Sequence, residues 1–279
     1  MKEQKITPPT LQEMKEQGEK ISMITAYDYP SGLLVDGVGI EVILVGDSVG
    51  NTVLGYENTM PVELAEILHH TKAVCRAVKR ALVIGDMPFM SFNVSKEEAI
   101  RNAGRLMKEG GADGVKLEGG AEMAETVSAV IKAGIPVMGH IGLTPQRVSQ
   151  LGGFRVQGRD IETAKKLLKD AMALEEAGIF ALVLECIPAP LAKLLTERLS
   201  IPTIGIGAGP FCDGQVLVLH DVIGLSFGFS PKFAKCYTDI AEEMTKALER
   251  YRQEVKEGQF PTLKEHSFSM SEEVLKELR

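Results

Sequence analysis

Gly114-Val115-Lys116-Leu117-Glu118 is an apolar run broken by one cation and closed by a carboxylate. Three other runs close in the same way: Val42-Ile43-Leu44-Val45-Gly46-Asp47, Leu82-Val83-Ile84-Gly85-Asp86 and Ala181-Leu182-Val183-Leu184-Glu185. A short, near-continuous apolar run is how a parallel strand buried on both faces reads. A carboxylate at the C-terminal end of such a strand lies where α/β barrels keep their active sites. Carboxylates from all of these strands would converge on one mouth, where like charges repel and raise carboxyl pKa values. A divalent cation would hold two or three of them ionised and leave another free to act as a base.

Working outward from these runs, strand-like segments also fall at 21–26, 137–141, 203–207 and 216–220, beside 42–46, 82–86, 114–118 and 181–185. Helical patterns lie between most of them. Residues 61–78 follow Thr59 as an N-cap, with Pro61 near the first turn. Ser95-Lys96-Glu97-Glu98 is a capping-box pattern ahead of 99–108. Residues 121–132, 161–176 and 191–199 keep helical spacing. Glycines such as Gly110, Gly134 and Gly178 punctuate the returns from helix to strand. Alternating strands and helices mean βαβ units and a parallel sheet. Eight such units favour a closed (β/α)8 barrel. The seventh is weak, because Gly207 to Gln215 leaves little room for a helix. Residues 8–19 predict a short helix that plugs the bottom of the barrel, and 240–258 a long charged helix. Residues 261–279 read as a polar tail. No linker divides the chain, so 1–279 is expected to be one barrel domain with 1–20 as a helical lead-in.

The 279 residues carry 44% hydrophobic and 25% charged side chains, ordinary values for a soluble globular chain. Lys plus Arg is 31 against 38 for Asp plus Glu, a formal charge of -7, which argues against a nucleic-acid binder. Cys75, Cys186, Cys212 and Cys236 lack metal-ligand spacing and read as reduced thiols in a cytoplasmic protein. The first twenty or so residues lack the apolar core of a secretory signal. No uncharged apolar run approaches the ~18 residues of a membrane span.

Asp47 precedes Ser48-Val49-Gly50 and Asp86 precedes Met87-Pro88-Phe89, so both strands break at once into loops. Carboxylates there suit a hard cation such as Mg²⁺, which takes one or two protein carboxylates and leaves room for substrate and water. Equally, each Asp alone could cap a loop. Lys116 and Glu118 alternate with Leu117 and face the barrel interior together. The lysine can hold a substrate carboxylate or form a buried ion pair with Glu118. Glu185 ends the most apolar strand, where desolvation would raise its pKa toward that of a general base. The alternative is a glutamate satisfied by backbone donors at a helix start. His140 ends the fifth strand, as a supporting residue that hydrogen-bonds substrate or a carboxylate, or as a structural histidine. His69-His70 is not an i, i+4 metal pair, and His220-Asp221 is expected to end the eighth strand in a structural role. Gly205 to Gly209 falls where barrels bind phosphate, yet it fits a dinucleotide fingerprint poorly. A bulky ligand close to the backbone or a tight turn explains it as well.

Taken together, several motifs resemble one family. They are Ile24-Thr25-Ala26-Tyr27-Asp28-Tyr29, Val45-Gly46-Asp47-Ser48-Val49-Gly50, Val115-Lys116-Leu117-Glu118-Gly119-Gly120, Gly139-His140-Ile141-Gly142-Leu143-Thr144-Pro145-Gln146 and Leu184-Glu185-Cys186-Ile187-Pro188. With Gly205 to Gly209, Asp213 to Val216 and Pro231 to Lys235, they are similar to the ketopantoate hydroxymethyltransferases from about residue 21 to 268. The resemblance implies a TIM barrel of the phosphoenolpyruvate/pyruvate type. It implies transfer of a one-carbon unit from 5,10-methylenetetrahydrofolate to 3-methyl-2-oxobutanoate, giving 2-dehydropantoate, the first committed step of pantothenate biosynthesis. It assigns Asp47, Asp86 and Glu118 to a Mg²⁺ site, Ser48 and Lys116 together with the two aspartates to substrate, and Glu185 to the general base of an Mg-stabilised enolate reaction. It also implies a cytoplasmic homodecamer. Glu57 stands where the family usually has Asp, and 270–279 runs past the common end.

Two rivals are a different Mg²⁺-dependent 2-oxoacid enzyme of the same barrel type, such as a lyase or phosphomutase, and a non-catalytic metabolite-binding barrel. The set Asp47, Asp86, Glu118 and Glu185 argues against the second, and the Gly139–Gln146 and Gly205–Gly209 motifs against the first.

Overall fold

The computed structural model describes residues 4–147, 153, 155–226 and 231–279. Eight parallel strands close into a barrel: β1 (Ile21–Thr25), β2 (Val42–Val45), β3 (Leu82–Asp86), β4 (Gly114–Glu118), β5 (Val137–Gly142), β6 (Ala181–Glu185), β7 (Thr203–Ile206) and β8 (Gly214–Leu217). Each strand pairs with its sequence neighbour, and β8 returns to β1 through Met23 opposite Val216.

The period-two alternation of these strands divides the core into two shells. Inward-facing Met23, Val42, Leu44, Leu82, Ile84, Met138, Val183, Ile204 and Val216 form one cluster. The intervening Ile43, Val45, Val83, Val115, Leu117, Leu182 and Leu184 belong to a second, which includes Ile67, Leu106, Val127, Leu174 and Leu195 of the surrounding helices. Helix α1 (Pro8–Gln17) inserts the fully buried Leu11 into the inner cluster, beside Ile6. The lower end of the barrel is thereby plugged, and its polar inward positions are left at the upper end.

The outer helices are α2 (Tyr29–Gly37), α3 (Leu64–Ala77), α4 (Lys96–Lys108), α5 (Ala124–Lys132), α6 (Ile161–Ala177) and α7 (Ala189–Arg198). Short polar side chains start several of them by accepting an orphan N–H. Asp28 accepts from Ser31 N–H at 2.8 Å, Ser95 from Glu98 N–H at 3.1 Å and Asp160 from Thr163 N–H at 2.9 Å. The expected Thr59 cap is not used. Residues 59–62 form a turn, with Val62 N–H on Thr59 C=O at 3.2 Å, and α3 starts later at Glu63, whose N–H donates to Glu66 Oε2 at 2.8 Å. The local Glu63–Glu66 pairing wins over Thr59 because Pro61 removes a donor from the earlier turn.

The eighth strand starts two residues and ends three residues earlier than expected. Gly214 pairs with both Ile21 and Ile204, and a Cβ there would meet Ile21 C=O at 2.5 Å, so only glycine lets β8 start at this point. Leu219 N–H then donates to Thr25 Oγ1 at 3.0 Å and opens α8 (Leu219–Ile223), which takes His220 and Asp221 out of the strand. No helix joins β7 to β8 in this short segment. Gly207 (φ 63°) and Gly209 (φ 78°) make the turn, and Cβ atoms there would meet Phe233 at 2.8 Å and Ala189 at 2.4 Å. The glycine-rich stretch is thus a tight turn packed on by the chain itself. Helix α9 (Ile240–Lys256) buries no residue, and α10 (Glu272–Glu277) lies in the segment expected to be only a polar tail. Among the described residues, no helix is long and apolar enough to cross a membrane.

Candidate active site

Strand register assembles the upper end of the barrel. Asp86 stands opposite Lys116, Glu118 opposite His140, and Glu185 between Gly142 and Ile206. All continue the inward rows of their strands, so acids and bases from β3 to β6 face one another. Asp47 joins them from the turn after β2, where its N–H donates to Asp86 Oδ2 at 3.1 Å. Ser48 opens a single helical turn (Val49–Thr52), and its hydroxyl lies 2.8 Å from the buried Tyr27 hydroxyl. Every sequence-predicted residue therefore lies at this end, with Ser48 at its β1–β2 side. His70 does not; its Nδ1 meets Tyr27 C=O at 2.6 Å on the outside of the barrel. His220, from α8, lies tilted against the Tyr27 ring with centroids 5.6 Å apart.

Lys116 Nζ lies 2.8 Å from Asp86 Oδ1 and 3.7 Å from Glu118 Oε1. His140 bridges two acids, with Nδ1 3.4 Å from Glu118 Oε1 and Nε2 3.0 Å from Glu185 Oε2. Four carboxylates thus face one lysine and one histidine. With both bases charged, the excess is what one divalent cation would neutralise.

Burial dominates the electrostatics. Asp47 is pushed well above the usual carboxyl range by burial and by Asp86 and Glu118, against Lys116 and the Gln146 amide. Burial also raises Asp86, although Lys116 opposes it. In Glu118, burial is outweighed by His140, Lys116 and the Gln146 N–H, so its carboxyl is held low. Lys116 is raised despite burial, because Asp86, Glu118 and Asp47 surround it. Burial and Lys116 would lower His140, but its contacts with Glu118 and Glu185 raise it to about 9.

Several buried polar atoms here have no aligned hydrogen-bond partner: Asp86 Oδ1, both ring nitrogens of His140, and Gln146 Oε1. The ion-pair distances at Asp86 and His140 are short, yet the contacts lie off the hydrogen-bonding direction. Buried groups left unpaired in a native fold call for a reason, and an absent ion is one. The donor set fits Mg²⁺: carboxylates of Asp47 and Asp86 joined by the Asp47 N–H, with Oδ1 of Asp86 facing only the off-line Lys116 ammonium. Among the described residues, no three His, Cys, Asp or Glu side chains close into an all-protein cage. That suits an ion held by one or two carboxylates and completed by substrate and water.

The sequence assigns Gln146, Tyr27 and Cys186 no role at the site. Gln146 sits in a 3-10 turn (Pro145–Arg147) and reaches Asp47 Oδ2 at 2.9 Å and Met87 C=O at 3.0 Å. Its backbone N–H donates to Glu118 Oε2 at 3.2 Å. It closes one of the quoted motifs, the only signal that could have drawn attention to it. Cys186, directly after Glu185, has φ 47°, a conformation costly for a non-glycine residue.

Comparison with known proteins gives the family. A family model described as ketopantoate hydroxymethyltransferase matches residues 5–263. The 3-methyl-2-oxobutanoate hydroxymethyltransferase of Moorella thermoacetica is 61% identical over 264 residues, 95% of this chain and 98% of that protein. The enzyme of the same name from Carboxydothermus hydrogenoformans is 58% identical over 274 residues, 98% of this chain and 99% of its own. Among solved structures, phosphoenolpyruvate phosphomutase from Streptomyces platensis subsp. rosaceus superposes with a TM-score of 0.61 at 12% identity, covering 98% of this chain and 94% of that one. A 2,3-dimethylmalate lyase of the PEP mutase/isocitrate lyase superfamily gives 0.58 at 14% identity, over 97% and 93%. At such identities these two speak for the fold alone.

Proposed function

This chain belongs to the ketopantoate hydroxymethyltransferase family, and from that premise we propose how the mouth of its barrel works. The chain is an enzyme that transfers a hydroxymethyl group to 3-methyl-2-oxobutanoate, the ketopantoate-forming step of pantothenate synthesis. 5,10-Methylenetetrahydrofolate supplies the carbon. One water is consumed, and 2-dehydropantoate and tetrahydrofolate leave. The observation that carries the reading is the convergence of Asp47, Asp86, Lys116, Glu118 and Glu185 on one end of a barrel whose sequence matches this family over residues 5–263.

Asp47 and Asp86 would hold Mg²⁺, with Glu118 completing the acidic set behind them. Bound there, the ion supplies Lewis-acid stabilisation of negative charge on the 2-oxo group. Lys116, kept charged by its acid neighbours, binds the substrate carboxylate, and Ser48, anchored by Tyr27, hydrogen-bonds it. Glu185 removes the C3 proton. It is the most accessible acid of the set, its side chain 13% exposed, and His140 orients it from one side. The C3 carbon then forms its bond to the folate-borne methylene.

The test is production of 2-dehydropantoate from 3-methyl-2-oxobutanoate, made dependent on both Mg²⁺ and methylenetetrahydrofolate. Turnover of another 2-oxoacid without folate would favour a lyase or phosphomutase instead. The four unpaired cysteines fit a cytoplasmic setting. A homo-oligomer, a decamer by the family's habit, is supported by the exposed stripe Met244, Leu248, Tyr251 and Val255 on α9. Sedimentation as a monomer at micromolar concentration would refute the assembly. The barrel with its lead-in (1–20) and tail (261–279) is taken as one domain.

A further inference from the structure

Gln146 is 3% exposed, and it touches two acids of the cluster, one through its side-chain amide and one through its backbone N–H. The side-chain amide has two donors, and both are used: one on Asp47 Oδ2 at 2.9 Å, the other on Met87 C=O at 3.0 Å. Both partners are pure acceptors. Turning the amide over would set oxygen against oxygen at each, so the network fixes the orientation. What remains is Oε1, a buried acceptor without a donor. Among the described residues, Oδ2 is also the only carboxylate oxygen of Asp47 that accepts a hydrogen bond. The contact spans 99 residues of sequence, from the turn after β5 to the turn after β2. The backbone N–H of the same residue holds Glu118 Oε2 at 3.2 Å.

We infer that Gln146 is a positioning residue for the cation pair: its amide commits Asp47 Oδ2, leaves Oδ1 for the ion, and presents Oε1 to a water or hydroxyl bound beside it. This rests on the reading of Asp47 and Asp86 as the cation site. An aspartate with no donor on either oxygen is free to rotate out of the geometry that an ion needs. A neutral amide that donates to one oxygen fixes the carboxylate without adding charge. Partners of this kind, one step behind the ligands, typically set affinity by 10–100-fold.

Manganese serves as the probe, because its free form is counted directly by electron paramagnetic resonance without any turnover. The metal-free full chain is titrated with Mn²⁺ as wild type, as Gln146→Met and as Gln146→Asn. Methionine keeps length and volume and removes every side-chain hydrogen bond. Asparagine keeps the amide but withdraws it by one methylene. Both variants should bind Mn²⁺ some ~10–100-fold more weakly, while their melting temperatures stay close to wild type. If Gln146→Met does not fold, Gln146→Asn alone decides. Variants that fold and bind Mn²⁺ as wild type does would overturn the assignment of Gln146 and leave the cation site standing. A wild type that binds no Mn²⁺ would overturn the cation site itself, and the role of Gln146 with it.

Discussion

Asp36 at the lower rim of the barrel and Asp86 at its mouth are both partly or fully enclosed aspartates, and they live under opposite conditions. Asp36 accepts from three consecutive backbone donors, Lys79 N–H at 2.8 Å, Arg80 N–H at 3.1 Å and Ala81 N–H at 2.8 Å. Burial would raise its pKa, but these donors outweigh burial and hold it low. Its neighbours are equally well served. Asp113 takes Lys5 at 2.7 Å and Val83 N–H at 2.8 Å, and Asp213 takes Lys15 at 2.8 Å and Thr203 N–H at 2.8 Å. At the mouth, Asp86 and Asp47 are raised instead, and Asp86 Oδ1 has no aligned donor. The lower rim satisfies its charges within the chain and so contributes to stability. The mouth leaves its charges incompletely satisfied, ready for what is absent from the chain. This is the division of labour expected between the two faces of a barrel of this type.

The largest effect that could break this contrast is at Glu185. Glu185→Gln keeps the shape and removes the base. Exchange of the C3 proton of 3-methyl-2-oxobutanoate into deuterated solvent should fall by ~10²–10⁴-fold, with no change in melting temperature. Exchange at the wild-type rate would assign the proton to another group. Asp47→Asn comes next. It should abolish most activity, part of which returns with excess Mg²⁺. It also removes one charge from a repelling buried set, so the metal-free variant should melt at or above the wild type. A marked fall in its melting temperature would show that the mouth, too, is built for stability.

Much of this contrast was legible in the sequence, and the limits have physical reasons. Apolar runs ending in Asp47, Asp86, Glu118 and Glu185 declare both strand and site, because a parallel strand buried on both faces allows few other patterns. The inward pairing of Lys116 with Glu118 follows from period two alone. The eighth strand was misplaced because its decisive residue is Gly214, whose lack of a side chain leaves no hydrophobic signal. The start of α3 differs because Thr59 is the stronger cap in isolation, and Glu63 wins through Glu66 once Pro61 has removed a donor from the earlier turn. Gln146 and Tyr27 escaped notice for a different reason. Their partners, Asp47 and Ser48, lie on other βα units, and barrel closure alone brings them together.

A prediction of intermediate size probes the lower rim. Asp36→Ala leaves three backbone donors without their acceptor, and hydrogen bonds to a charged group are worth about 1.5–3 kcal/mol. The melting temperature should drop by several degrees, since ~1 kcal/mol shifts a chain of this size by roughly 2–4 °C. Activity at 25 °C should be untouched. Because the carboxyl is held below its ordinary value, its contribution is present above about pH 3.9 and is lost as pH falls through the depressed folded pKa. Acid titration of stability should therefore bring wild type and Asp36→Ala together only below the ordinary aspartate range. Lost activity in Asp36→Ala at 25 °C would mean that the two ends are coupled.

The smallest effect lies at Cys186, where strain rather than charge meets the mouth. Its φ of 47° follows directly on Glu185, its N–H donates to Ile206 C=O at 2.8 Å, and its C=O accepts from Gln157 N–H at 2.9 Å. Burial pushes the thiol up to about 12, so it is not a nucleophile near neutrality. The left-handed backbone is what the position requires, since it turns the chain sharply after the base. Glycine adopts this conformation freely, but its extra freedom in the unfolded chain costs about 0.5–1 kcal/mol. These two terms nearly cancel, so Cys186→Gly should match wild-type stability to within about 1 kcal/mol. Cys186→Val places a β-branched residue at positive φ, a true outlier, and should lose about 1–3 kcal/mol of stability together with part of the C3 exchange. If valine lowers stability but leaves exchange intact, the strain belongs with the satisfied, structural part of the barrel. If exchange falls further than stability explains, the backbone at Cys186 aims the Glu185 carboxylate, and the fold stores strain on the side of the molecule where chemistry occurs.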